Sequence, residues 1–426
     1  MKYIRYALMT AFIFLHSSNI AAQDSEPFLT FTGFVESRLG FRLQDDPHEK
    51  DMSIGEIRLQ LETEKYFDNF TFNLAFDLVA DTVLNRYQVD LSTGEGAVDL
   101  RQMNVEFSPL DFMDVKVGRQ ILTWGTGDLL FINDLFAKDW NSFLIGRDVE
   151  YLKAPSDAIK TSMFFDSINI DLVYVPKFSA DRYIDGRPIS YFDPVSGSLT
   201  GSENPLSVDK PQEWFEDDEL AIRLYRSFGV FEAAAYYYSG FWKSPAGFDM
   251  TSTKALFPEL DVIGASLRGP IAGGIANVEL GYYDSEAGAA TNALINNDEF
   301  RLLIGFEREI ATELTLSLQY NLERKLDYAD YKISLPQASI RDDENRHQVS
   351  IRLTKMLMQQ NLQLSLFNFY STNEKDGFLR LNASYKVSDS VKIEAGANIL
   401  YGKDRQSFYG QLENNSNAFA ALRFEF

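Results

Sequence analysis

The chain has 426 residues and carries 40 Lys and Arg against 62 Asp and Glu, a net charge of −22. That balance lacks the basic footprint phosphate binding needs, so no nucleic acid is expected as a partner. Cysteine is absent, which removes disulfides, thiol nucleophiles, thiolate metal sites and lipid anchoring through a thiol, while 34 Phe and 21 Tyr favour strands.

Residues 1–22 read as a cleaved secretory signal. Lys2 and Arg5 precede an apolar run from Tyr6 to Leu15, and Ala21 and Ala22 end a small-residue stretch before Gln23. Such a run is about half the ~20 apolar residues that a membrane-spanning helix needs. The mature part, 23–426, is expected to carry −24, because the signal removes two cations and no acid. No later stretch is long and apolar enough to cross as a helix, so the mature chain either stays in water or crosses a membrane as strands.

From residue 29 onward the period is two. Leu29, Phe31, Val35, Leu39 and Phe41 alternate with Phe34, Glu36, Arg38 and Arg42, and similar alternation returns at Ile57-Leu59-Leu61, Phe70 to Leu78, Leu314 to Leu322, Leu379 to Val387 and Val391 to Tyr401. Strands are predicted at 29–43, 54–65, 70–81, 98–108, 114–124, 158–166, 168–175, 219–228 and 230–241. The rest fall at 261–269, 275–284, 299–308, 312–323, 346–355, 361–371, 378–387, 391–401 and 417–426. Many reach the roughly ten residues of a tilted membrane strand, against about five or six in a soluble sheet. Short links alternate with long ones at 82–97, 125–157, 176–218, 243–260 and 324–345. The expected fold is therefore all-β: a closed antiparallel transmembrane β-barrel of about eighteen strands, sixteen if the short pair near 158–175 is misread, with short periplasmic turns and long external loops. One domain, 23–426, accounts for all of it.

The polar parity places Glu36, Arg38, Arg42, Glu56, Arg58, Arg301, Glu307, Arg352, Arg380, Glu394 and Arg423 on the lumen side. Charges there are tolerable when paired or wet, so they are read as pore-lining. Arg119 needs an added step: Val115 and Val117 have lipid parity, so either a bulge at Gly118 turns Arg119 inward, the reading adopted, or it sits above the hydrocarbon at the interface. The link 125–157 combines six acids and three bases with many large apolar groups. A solvated loop seldom exposes so much apolar surface, so this one is expected to enter the lumen as a constriction, with Asp128, Asp134, Asp139, Arg147 and Asp148 nearest the route.

Two segments carry a family resemblance. The final run Ala418 to Phe426, alternating and ending on an aromatic, resembles the assembly signal of bacterial outer-membrane barrels, which implies Phe426 as the residue read by the barrel-assembly machinery. The spacing of Gly118-Arg119-Gln120 and Trp124-Gly125 resembles a strand-to-loop segment of porin-like barrels of the alginate-export and phosphate-selective porin groups. That likeness covers about a dozen residues. It implies a monomeric or trimeric pore of the outer membrane of a Gram-negative bacterium for small anionic or polar solutes, although the chain's acidity departs from an anion-selective pattern.

The function expected is a porin-like channel for passive passage of small hydrophilic solutes, with outer-membrane lipid around it and no cofactor. The alternative is an exit duct or docking barrel serving an envelope export system. A barrel enzyme ranks last: after removal of the signal only His48 and His347 remain as candidate bases, and neither has a nucleophile at a telling spacing, so no catalytic or metal residue is assigned.

Overall fold

A computed structural model of the protein describes residues 28–84, 87–91, 93–94, 96–193, 195–286, 291–335 and 341–426. The segment read as a signal lies outside the described residues.

Eighteen strands form one closed antiparallel ring. In chain order they are β1 (Thr32–Arg42), β2 (Met52–Tyr66), β3 (Thr71–Asp81), β4 (Val98–Leu110), β5 (Met113–Ile121), β6 (Pro155–Phe164), β7 (Asn169–Val175), β8 (Glu219–Phe228) and β9 (Phe231–Phe241). They continue with β10 (Glu259–Ile271), β11 (Gly274–Ser285), β12 (Glu299–Ala311), β13 (Leu314–Lys325), β14 (Asn345–Leu357), β15 (Leu362–Ser371), β16 (Asp376–Ser388), β17 (Val391–Gly402) and β18 (Asn417–Glu425). Each pairs with its neighbours in sequence, and β1 pairs with β18 from Phe34↔Glu425 to Arg42↔Asn417. Phe426 and Gly33 extend that seam by exchanging two backbone hydrogen bonds of 3.0 and 3.1 Å. Closure leaves no strand edge unpaired, the condition that lipid imposes. The pair near 158–175 is real, with Ile159↔Tyr174 to Phe164↔Asn169 in register.

Alternation decides the two faces. On β1, Val35, Leu39 and Phe41 are exposed while Phe34, Glu36 and Arg38 are buried. The same outward apolar face runs on through Ile57, Leu78, Ile159, Ile263, Leu280, Ile304, Leu318, Leu381 and Leu422. So much exposed aliphatic surface fits hydrocarbon and would be unfavourable in water. Aromatic groups crowd the turn end of the barrel: Phe67 stacks on Phe70 at 4.5 Å, and Phe112 meets Phe165 at 5.3 Å. This is the girdle position. The turns there are tight; Ala272 and Gly273, both at positive φ (52° and 74°), close the β10–β11 hairpin in two residues.

The inside is not an empty bore. Two apolar clusters lie within the ring. One gathers Leu122, Ile132 and Phe136 against Val173, Tyr238, Leu260, Tyr283 and Leu303; the other gathers Phe143, Leu144, Ile145 and Leu152 against Ile54, Phe367, Phe369, Phe378 and Leu400. In both, residues from 122–154 pack against wall strands, joined by Trp242 in the first and by Ile189, Tyr409 and Leu412 from other links in the second.

Candidate functional site: a lumen crossed by one loop

The loop 122–154 leaves β5 and returns to β6 after crossing the lumen between two walls. At its first dock, on β11, the buried Glu279 carboxylate accepts from Gly127 N (2.9 Å), Thr126 Oγ1 (2.8 Å), Asn133 Nδ2 (3.1 Å) and the Thr126 amide. Asn277 of the same strand donates to Thr126 O at 3.0 Å and to its hydroxyl at 2.9 Å. The wall is shaped for this contact by missing side chains. A Cβ on Gly264 would lie 1.7 Å from Asn133 Oδ1, and one on Gly281 would lie 2.8 Å from the Ile132 side chain. Backbone amides converging on a carboxylate make the strong, charge-assisted kind of hydrogen bond.

The chain then turns inward through Asp134, which accepts from Thr123 Oγ1 at 2.7 Å and from Lys138 Nζ at 2.9 Å. A short helix follows, α1 (Trp140–Ile145). Asp139 caps its start, accepting from Ser142 N and Ser142 Oγ, both at 2.7 Å, and Gly146 at φ 96° ends it in the left-handed conformation. The carbonyls a helix leaves unpaired at its C-terminus are taken by the second wall. Arg380 donates to Phe143 O (3.1 Å) and Arg147 O (2.7 Å), Asn398 and Asn417 donate to Leu144 O (3.2 and 3.0 Å), and Arg38 donates to Gly146 O (2.7 Å). Arg147 reaches Glu56 on β2 with two bonds of 2.9 and 2.6 Å. Asp148 approaches Arg423 (3.4 Å) and Lys392 (3.6 Å). Burial pushes its carboxyl up, but the two cations outweigh that and hold it below the ordinary range. The docking strands β11 and β1 lie nearly opposite in the ring, so the loop is a bar across the lumen.

A second inward segment braces the bar. Arg182, from the link between β7 and β8, joins Asp99 of β4 (2.8 Å) to Asp139 (3.2 Å), and Asp181 accepts from Lys138 N at 2.7 Å. Below the bar two hollows remain. One of about 720 Å³ is bordered by Arg101, Glu62, Glu150, Arg423 and Phe426; another of about 500 Å³ by Trp124, Asp128, Asp134, Arg223 and Arg268. Val149 and Lys153 border both.

Glu36, Arg38, Arg42, Glu56, Arg58, Arg301, Glu307, Arg352, Arg380, Glu394 and Arg423 all face inward. Arg38, with Glu36 (2.9 Å) and Glu394 (2.7 Å), and Arg58, with Glu56 (2.7 Å) and Asp77, line no water path, because they are consumed in buried pairs; Arg423 also pairs with Glu36 (2.9 Å) but borders the larger hollow. Arg42 sits at the outer mouth, donating to Met52 O at 3.1 Å and Pro188 O at 2.5 Å. Arg119 corrects the inward reading. Pairing runs unbroken through Val117, Gly118 and Arg119 on both sides, so there is no bulge, and Arg119 faces outward, where it pairs with Asp157 at 2.8 Å. Gly118 has a positive φ (122°), and a Cβ there would lie 2.4 Å from Met103 O, so glycine permits both this backbone conformation and a close approach that leaves the register intact. Of the loop residues, Asp134, Asp139, Arg147 and Asp148 hold the bar in place. Asp128 instead pairs with Arg352 at 2.7 Å, both partly exposed. Burial raises its carboxyl, Arg352 offsets part of that and Glu307 adds to it.

Glu279, Asn277, Asn398 and Asn417 were not singled out from the sequence. The sign was present for Glu279: flanked by Val278 and Leu280, which have lipid parity, it had to point inward. His347 lies by Tyr320 OH at 2.8 Å, and His48 meets Glu203 between two outer loops.

No protein-family model matches the chain, and no curated protein matches it by sequence. Among solved structures it is similar to OccD3 (OpdP) of Pseudomonas aeruginosa, at 11% identity and a TM-score of 0.52, covering 96% of this chain and 94% of that one. It is also similar to OccAB1 of Acinetobacter baumannii, at 10% identity and a TM-score of 0.51, covering 95% and 98%. At such identities the likeness is one of fold.

Removing the Arg147 side chain is expected to loosen the bar. Breaking a buried ion pair costs about 3–5 kcal/mol, and Arg58 still meets Glu56, so the lower end applies. In detergent, Arg147→Ala should become sensitive to protease between residues 139 and 154, with Arg147→Lys intermediate. Equal resistance of all three proteins would mean that the pair does not hold the loop.

Proposed function

We propose that the protein is an outer-membrane channel for passive passage of small hydrophilic solutes, with the loop 122–154 setting its bore. The observation that carries this reading is the pairing of a closed, externally apolar barrel with a charged inner wall and polar hollows reaching up to the bar. A barrel of this strand number is too wide for its own side chains to fill. The bar therefore limits what passes, and helix α1 and its docks give it rigidity.

Charge selectivity follows from which ions remain uncompensated. Anion preference would require Arg38, Arg58, Arg119 and Arg352 to dominate the route. Arg38 and Arg58 are neutralised in buried pairs, Arg119 lies outside, and Arg352 is met by Asp128. The chain as a whole carries −22. Cations and neutral solutes should therefore pass in preference to anions at low ionic strength, the bias fading as salt shortens the Debye length. The test is single-channel recording of the refolded protein in a planar bilayer across a KCl gradient. Discrete conductance steps with a reversal potential of cation sign are expected. No conductance above bare lipid would overturn the channel reading; an anion-sign potential would overturn only the selectivity.

A further inference from the structure

One stretch of inner wall carries no formal charge. At mid-barrel, β13 and β14 turn Ser317, Gln319, Asn321, Gln348 and Ser350 inward, each 6% exposed or less. An ion pair closes each end: Arg346 with Glu323 (3.3 Å) on the outer side, Arg352 with Asp128 (2.7 Å) towards the periplasm. Amide and hydroxyl groups both donate and accept, and burying them costs free energy unless partners are found. Ser350 Oγ lies 3.3 Å from Gln319 Oε1, but the buried Asn321 Oδ1 has no hydrogen-bond partner.

Tyr409, whose hydroxyl accepts from Gln348 Nε2 at 3.4 Å, covers the outer part of this strip, and an arch of the loop, residues 127–131, meets its periplasmic end through Asp128 and Arg352. At one foot Gly127 lies against β12, where a Cβ would be 3.2 Å from Leu303. Leu130 packs on both apolar clusters, and Leu129 and Phe131 pack on the one holding Phe367 and Phe369 of β15. Since β13 and β14 stand between β12 and β15 in the ring, the arch passes over that end of the strip. Its construction differs from the rest of the bar. Leu129 adopts φ 59°, a left-handed conformation costly for a side-chain-bearing residue. The ion pair at its tip is partly exposed, with side chains at 28% and 31%, and is therefore screened and weak beside the buried docks of α1.

The geometry points to this strip as the permeation route, with the arch 127–131 as its gate and uncharged polyhydroxylated solutes as its preferred cargo. This rests on the channel reading above. A sugar hydroxyl exchanges hydrogen bonds with water for equivalent ones to the amides as the arch lifts. A carboxylate or ammonium finds no counter-charge on the strip itself; Arg346 and Arg352 at its ends are already paired, and Glu307, cross-strand from Ser317, stands on the neighbouring strand.

The absence of native cysteine allows a direct test. In proteoliposomes, the Asp128→Cys/Arg352→Cys double variant is joined by a short bis-methanethiosulfonate, which forms a reducible disulfide with each thiol as methanesulfinate leaves, and swelling is followed in glucose, glutarate and lysine. Glucose entry should fall at least tenfold on linking and recover on reduction, and before linking glucose should enter faster than either charged probe. A second variant, Gln319→Leu with Ser350→Val, should keep the heat-dependent gel shift of a folded barrel and slow glucose entry severalfold; unchanged glucose entry would overturn the strip as the route. Equal glucose entry in linked and reduced protein would overturn the gate, and a glutarate or lysine preference would overturn the cargo class. If the parent and the reduced variant both admit nothing above protein-free liposomes, the channel reading itself fails and this inference falls with it.

Discussion

Replacing residues 126–152 by a short Gly-Ser link is expected to raise single-channel conductance on the order of fivefold, the largest functional effect the structure implies. The bar crosses the ring between β11 and the wall formed by β1, β2 and β16–β18, and it packs into both apolar clusters. Its removal exposes Glu279, Glu56, Arg38 and Arg380 to water rather than to a low-dielectric interior, so they can be hydrated once their loop partners are gone. Strand pairing is untouched by the excision, and the barrel should still assemble. The shortened protein should also be noisier and less selective, because the acids and bases of the loop leave with it. If it conducts no better than the parent, the bar does not limit flux, and a docking barrel that works with an export system becomes the better account.

Deleting Phe426 is expected to lower the yield of assembled protein by roughly an order of magnitude, whereas Phe424→Leu should stay near the parent. Phe426 contributes its amide and its carbonyl to Gly33 at the seam of the ring. Phe424 presents only an exposed ring on the outer face, where an aliphatic side chain serves almost as well. On its other side Gly33 has no slack against β2: a Cβ there would lie 2.0 Å from Gln60 O, so Gly33→Ala should displace the start of β1 and weaken closure too. Phe426→Leu separates two roles, since it keeps both backbone bonds and changes only the side chain. Were the aromatic ring read by the assembly machinery, Phe426→Leu would fail in cells and still refold into detergent micelles. Equal cellular yields for the deletion and for Phe424→Leu would leave the terminal residue with no special part in assembly.

The barrel was legible in the sequence because its determinants are local and repeated. A period of two, strands of about ten residues and alternating link lengths each recur many times, so one misjudged boundary, such as 158 for a strand that starts at Pro155, shifts nothing else. Parity then sends Glu36, Arg38, Glu56, Arg58 and Arg380 inward, and the apolar content of 125–157 marks that link as one that has to be buried. At Arg119 the same signs misled. A glycine beside it suggested a bulge, while Gly118 serves instead to let β5 approach β4 closely.

Only the tertiary structure decided what the inward charges do. Whether Arg38 faces water or holds Gly146 O depends on where a loop more than a hundred residues later comes to rest, and no local pattern encodes that contact. The glycines of the docking wall, Gly264 and Gly281, look in sequence like weak points in strands; they prove to be the hollows into which Asn133 and Ile132 fit. The neutral strip of β13–β14 becomes notable only once the arch is seen to meet its periplasmic end. Strand and lipid face are matters of neighbours in sequence, set by side-chain period and solvent. The bar, its docks and the route beside it are matters of long-range packing, where one carboxylate such as Glu279 finds its partners some 150 residues away.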